Sequence, residues 1–259
     1  MVPAHKILES FQLGGKNALV TGSRRGLGKA IAIALAEAGA NVLCRGHDPN
    51  PGPICSEIRK LDRRTDYFAA DVAEPAACTA LIEKIAAEFG SIDIVVNNAG
   101  IIRRAPASEY SAEDWEMVIA VDLSAVFRLT QLAGRWMLEH GRPGKIVNIA
   151  SLLSFQGGMR VPAYAAAKGG VVQLTKAFSN EWAPKRINVN AIAPGYFATD
   201  NTAALRNDPV RSRQILERIP AGRWGEPRDI TGAAVFLSSS ASDYVHGQVI
   251  VVDGGWLSA

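Results

Sequence analysis

The chain has 259 residues, with 28 Lys+Arg against 25 Asp+Glu for a formal net charge of +3, and 48% of it is apolar. That length fits one large α/β domain or two small ones, with core enough to need no disulfide or metal staple. No basic run exceeds two adjacent residues, and the longest unbroken apolar run, residues 30–36, falls far short of the ~20 needed to span a bilayer, which argues against nucleic-acid and membrane partners.

In chain order, short β-branched runs alternate with longer Ala-rich segments. The first strand, residues 17–20, leads through Thr21-Gly22-Ser23-Arg24-Arg25-Gly26-Leu27-Gly28 into a helix over 27–38. Glycines at such a strand–helix turn let the backbone approach a pyrophosphate, whose charge the free N–H groups of the helix start would meet; the alternative is a plain turn. A second strand at 41–44 is followed by Arg45, Gly46 and His47 and a turn-rich stretch, 47–53, before a helix. A third strand, 66–69, precedes Asp71 and Val72, and a helix spans 75–89. The fourth strand, 92–96, ends at Asn97-Asn98-Ala99-Gly100, where Asn side chains can tie loops to the sheet. A long helix is expected over 112–139 and a fifth strand over 145–149, with Ser151 just beyond it.

The next helix, 163–182, carries Tyr164 and Lys168, four residues apart and so on one face. A phenol ionises near pH 10 and serves as an acid/base at neutral pH only when a neighbouring cation lowers it, a role open to Lys168. The sixth strand, 187–192, is followed by Pro194-Gly195 and Thr199; residues 196–213 are polar and suit a mobile flap. Helices over 201–218 and 227–239 and a seventh strand at 248–252 complete the chain. Seven nearly all-apolar strands in βαβ alternation imply one doubly wound, Rossmann-type parallel α/β sheet covered on both faces, a single domain over 1–259. Ligands then sit beyond the C-terminal strand ends, where all five motifs fall.

Cys44, Cys55 and Cys78 are odd in number and lack CxxC spacing, and the N-terminus lacks a signal-peptide apolar region; a reducing, cytoplasmic setting is expected. His5, His47, His140 and His246 are scattered and read as solvated side chains, and no metal site is expected.

TGSRRGLG, NNAG, Ser151, YAAAK and the PG-x3-T segment stand in the order and spacing of the short-chain dehydrogenase/reductase family, which the chain resembles from about Leu13 to Leu257. The resemblance implies that Tyr164 is the catalytic acid/base, Lys168 its pKa depressor and ribose anchor, and Ser151 a hydrogen-bond donor to the reacting oxygen. It places Gly22, Ser23, Arg24, Arg25, Gly26, Leu27, Gly28, Arg45, Gly46, His47, Asp71, Val72, Asn98, Ala99, Gly100, Pro194, Gly195 and Thr199 around NAD(P)(H). Longer segments, among them IASLLSFQGGMRVPAY and RIPAGRWGEP, look like the 2-deoxy-D-gluconate 3-dehydrogenase and gluconate 5-dehydrogenase branch, which implies a sugar-acid substrate and a homotetramer. Arg104 and Arg160, with Gln156 and Arg103 nearby, suit a carboxylate, which a guanidinium holds bidentately. Alternatives are a dehydrogenase for another ketone or alcohol and a non-catalytic nucleotide-binding protein.

Two departures stand out. Asp122 occupies the position where the family usually has an Asn that holds a relay water; a carboxylate there accepts the same bond and adds negative charge beside Lys168, opposing its pull on Tyr164. Gly46 replaces the acidic residue with which NAD enzymes of this fold bind ribose hydroxyls, and Arg25 and Arg45 could pair with a 2′-phosphate, which leans the choice to NADP(H).

Overall fold

The computed structural model describes residues 6–259, so the expectation for His5 lies outside the described residues. Seven strands form one parallel sheet in the order 3-2-1-4-5-6-7: β1 (Asn17–Thr21), β2 (Asn41–Gly46), β3 (Thr65–Ala69), β4 (Ile94–Asn97), β5 (Gly144–Ile149), β6 (Ile187–Pro194) and β7 (Val249–Val252). β1 and β6 are buried at every position, which is why their sequences show no polar alternation; β7, at the sheet edge, is partly exposed. Helices α1 (Gly26–Glu37), α2 (Ile54–Arg59) and α9 (Thr231–Ser238) cover one face through Ile31, Leu35, Ile54 and Leu237. On the other face α3 (Pro75–Phe89) and α5 (Ala125–Glu139) bury Leu81, Ile85, Leu129 and Met137, beside α6 (Pro162–Trp182) with Val171 and Trp182. Each such Leu or Ile contributes about 1.5–3 kcal/mol of apolar burial.

The long expected helix over 112–139 is one run with a defect: α4 (Ala112–Ile119), a π-helical turn at Ala120–Ser124, and α5. By length and composition this 28-residue run, with a mean hydropathy of 1.4 over its most apolar 18 residues, is long and apolar enough to cross a bilayer even though charged residues interrupt it; half of that stretch is buried within the fold. The wider turn re-aims the chain by one residue and buries Asp122 completely.

The segment expected as one helix over 201–218 is two, α7 (Ala203–Asn207) and α8 (Pro209–Arg218). Asp208 precedes a proline, which disfavours helical backbone at that residue, and its carboxylate caps α8 by accepting from Val210 and Arg211 N–H, both at 3.0 Å. Residues 196–213 are therefore largely helical rather than irregular.

β1 and β4 are neighbours whose connections leave for opposite ends of the sheet, so a crevice opens beyond their C-terminal ends.

Candidate active site

The crevice is a cleft of about 1070 Å³. Its floor is pinned by Thr21, whose Oγ1 accepts from the N–H of Asn98 and of Ala99, both at 3.0 Å, while Asn98 Nδ2 donates to the Thr21 and Gly22 carbonyls. Gly22 takes φ +66°, and a Cβ on Gly28 would collide with the Gly22 carbonyl oxygen, so the turn closes only with glycine at both positions. Asn97 reaches the other way: Nδ2 donates to Thr130 and to Asn148, whose own Nδ2 donates to Thr175 on α6. That buried polar chain links the sheet to α6; its outer members are scattered in sequence and carried no motif.

Gly22, Arg24, Arg25, Gly26, Leu27 and Gly28 line one end of the cleft, and Arg45, Gly46, His47, Asp71 and Val72 continue it. Asn98, Ala99 and Gly100 also line it, as do Pro194, Gly195 and Thr199, the last of which lies beside Gly26. Ser23 is not in the lining; it is fully buried and its Oγ accepts the Arg45 N–H at 2.9 Å, holding β2 to the loop. The expected phosphate cations are rearranged. Arg25 pairs with Asp200 at 3.1 Å, away from the end of β2, and Arg45 is buried, its guanidinium donating to the Ala70 carbonyl. Arg24 instead stands beside the end of β2, 3.2 Å from the carboxylate of Asp48. A Cβ at Gly46 would collide with the Tyr67 hydroxyl, which donates to the Asp48 carbonyl, so Tyr67 fills the space an acidic side chain would need. Arg24 Nε and Arg45 Nε are buried without acceptors, so the donor set and the glycine cradle fit a phosphorylated dinucleotide.

The reactive side chains meet at the cleft centre. Ser151 follows β5 and caps a short 3-10 turn, its Oγ accepting from Leu153 N–H at 3.1 Å. Ser154, which no motif singled out, donates to the Lys168 carbonyl at 2.7 Å and accepts the Ser151 N–H at 3.2 Å, locking that turn to α6. Lys168 Nζ donates to the Ile149 carbonyl at 2.9 Å, lies 5.5 Å from the Tyr164 ring centre and 3.5 Å from Asp122 Oδ2. Asp122 Oδ1 accepts the Ile101 N–H at 2.8 Å, while Oδ2 has the Lys168 charge nearby but no hydrogen bond.

Burial holds the Asp122 carboxyl above the usual carboxylate range, against Lys168 and the Ile101 N–H, which favour the anion. Burial likewise pushes the Tyr164 phenol up; Lys168 pulls it down, Asp122 pushes it up again, and Ser151 and Arg104 lower it. The balance stays above an ordinary tyrosine, so Lys168 alone does not bring the phenol into the neutral range.

Arg103, Arg104 and Gln156 line the far wall. Arg103 pairs with Asp114 at 3.2 Å, and Arg104 donates to the Asn201 carbonyl at 3.2 Å, bridging to the segment after β6. Arg160 departs from its expected place: it is exposed, takes a left-handed φ of +64°, and does not line the cleft; its backbone carbonyl accepts the Ala105 N–H at 3.1 Å. Sequence reasoning missed Arg211, Gln214 and Arg218 on α8 and Trp256, all of which line the cleft.

A family model described as "Enoyl-(Acyl carrier protein) reductase" matches residues 22–257. The chain is 51% identical over 252 residues to 2-dehydro-3-deoxy-D-gluconate 5-dehydrogenase of Dickeya dadantii, covering 97% of this chain and 99% of that relative. A crystal structure from Agrobacterium tumefaciens, described provisionally as a 2-deoxy-D-gluconate 3-dehydrogenase with bound NADP, superposes with a TM-score of 0.92 at 54% identity, covering 96% and 99% of the two chains. A gluconate 5-dehydrogenase of Burkholderia cenocepacia, in complex with NADP and tartrate, gives 0.93 at 43% identity, with 97% and 99% covered. With a parallel sheet of order 3-2-1-4-5-6-7, a glycine turn after β1, and Ser151, Tyr164 and Lys168 on one cleft wall, the chain belongs to the short-chain dehydrogenase/reductase family.

Proposed function

We propose that the protein is an NADP(H)-dependent oxidoreductase that interconverts a hydroxyl and a carbonyl of a sugar acid of the 2-deoxygluconate, keto-deoxygluconate or gluconate type. The observation that carries this reading is the convergence of Ser151, Tyr164 and Lys168 in a cleft whose far wall is built from arginines. NADP(H), when bound, supplies the hydride acceptor or donor. Tyr164 takes the hydroxyl proton in oxidation and returns it in reduction, Ser151 Oγ hydrogen-bonds to the same oxygen, and Lys168 holds positive charge beside the phenol. Asp122 Oδ2, free of hydrogen bonds and 3.5 Å from Lys168 Nζ, stands at the family's relay position, where it can hold a water that carries that proton away from Lys168. Arg24, beside the side-chain-free Gly46, is the cation placed to meet a 2′-phosphate. The names of the relatives and the NADP in solved neighbours support both halves of the reading.

The chain is read as one dinucleotide-binding catalytic domain and as a cytoplasmic homotetramer. Three free buried cysteines suit a reducing compartment, and an apolar groove between α5 and α6, walled by Leu123, Phe127, Leu174 and Ala177, suits a partner protomer. A panel of gluconates and keto-deoxy sugar acids, assayed with both cofactors at the reduced-nicotinamide absorbance band, tests the function. Turnover of a sugar acid with NADP(H) preferred is expected; turnover confined to apolar ketones, or none, would overturn it.

A further inference from the structure

α8 carries Arg211, Gln214, Ile215 and Arg218 at spacings of three and four residues, so these side chains share one helix face, and all four enter the cleft wall. That face is anchored. Ile215 is buried in an apolar cluster with Leu152, Ile219 and Trp256, and Leu152 is the residue next to Ser151. The helix is thus held in register with the catalytic loop.

The arginines of the cleft differ in what they hold. Arg24, Arg25 and Arg103 each face a carboxylate within 3.2 Å. Arg211 donates only to the neutral Gln214 side-chain carbonyl at 2.8 Å, and the Arg218 guanidinium carbon sits over the Trp256 ring, 4.1 Å from its centre. Neither has a carboxylate partner among the described residues. A second observation comes from beneath them: Trp256 is 5% exposed and its indole Nε1–H is buried with no acceptor. The cation–π contact holds the Arg218 guanidinium over the ring and takes up none of its N–H groups, which can then meet a planar anion. Burial pushes the Tyr196 phenol up, and the charges of both arginines pull it down.

We propose that the cleft-facing stripe of α8 is the carboxylate-reading subsite: Arg218, stacked on Trp256, and Arg211 hold the acid group of the substrate. The hydroxyl-bearing carbons then run from α8 to Ser151 and Tyr164, and the reacting carbon is the one remote from the acid group. Arg104, tied to the Asn201 carbonyl, serves the middle of the substrate rather than the acid end. The assignment rests on the sugar-acid reading above.

The test measures kcat/KM for a sugar acid and for its uncharged methyl ester in the wild type, Arg218→Met, Arg218→Lys, Arg211→Gln and Arg104→Gln. NADP(H) affinity, by protein fluorescence, is followed in each to check that the cleft is intact. Arg218→Met and Arg211→Gln should lower the acid-to-ester ratio by about tenfold to a hundredfold, the range of a lost charge-assisted hydrogen bond, with Arg218→Lys in between. If the wild type does not favour the acid over the ester, the sugar-acid reading itself falls. If the wild type favours the acid and both α8 variants retain that ratio while Arg104→Gln loses it, the α8 subsite is wrong. Should Arg218→Met lose NADP(H) binding, the exposed Arg211→Gln alone decides.

Discussion

Replacing Asp122 with Asn removes the negative charge that opposes Lys168 beside the catalytic phenol. Lys168 Nζ lies 3.5 Å from Asp122 Oδ2 and 5.5 Å from the Tyr164 ring centre. The two spans place Asp122 Oδ2 within ~9 Å of that ring, where at an effective dielectric of about 20 a unit charge is worth roughly 2 kcal/mol, a little over one decade in pH. Asp122 is buried, so salt screens this charge little. The sign follows from the charges: the Asp122 anion disfavours the phenolate, so its removal favours it, and the pH at which Tyr164 can accept a proton falls. Asn retains a carbonyl oxygen for the Ile101 N–H, so the fold should survive, which a melting curve verifies. The assay is kcat/KM for oxidation of a sugar acid between about pH 6 and 11 at saturating cofactor, fitted for the ascending limb. A limb displaced to lower pH by about one unit is expected. A limb that stays in place or moves to higher pH would refute the charge balance drawn between Asp122, Lys168 and Tyr164.

Further outcomes follow from single contacts. Tyr164→Phe should lower turnover by about 10²–10⁴-fold while NADP(H) binding, measured by fluorescence, persists; near-normal turnover would remove Tyr164 from the chemistry. Gly46→Asp must displace the Tyr67 hydroxyl, which occupies the space a Cβ would take, and should cost about 1–3 kcal/mol in urea unfolding without raising NAD(H) use. Pairing it with Tyr67→Ala should recover stability, and a stable single variant that prefers NAD(H) would contradict the steric account. Asp229, held by the Arg223 guanidinium at 2.6 Å and by the Glu226 N–H, should titrate at about 2 by NMR. Its folded value is depressed, so the stability it lends is complete above the unfolded value near ~3.9 and fades as pH falls through about 2; in Arg223→Ala the titration should move back toward that unfolded value.

Local signals carried most of the architecture. β-Branched apolar runs and Gly/Pro punctuation act over a few residues, so all seven strands are legible in the sequence to within two residues at each end, and α3 to the residue. The glycine turn, Ser151, Tyr164 and Lys168 were legible for the same reason: their chemistry needs particular residue types at short spacings. α7 and α8 were read as one helix because the break at Asp208-Pro209 is worth less in a pattern than the periodicity around it. The π-turn was invisible, since the sequence of residues 120–124 is compatible with an ordinary helix and only Asp122's place between Lys168 and Ile101 marks the wider turn.

Local residue patterns are enough to specify a parallel α/β sheet with its reactive groups gathered beyond the strand ends. The role of each arginine is set by the folded chain. Arg25 is drawn to Asp200, 175 positions away, Arg45 is buried against the Ala70 carbonyl, Arg160 is turned out of the cleft, and Arg211 and Arg218 are brought in on α8. An arginine's role depends on the nearest acceptor in space, and long, flexible side chains meet acceptors that no local pattern encodes.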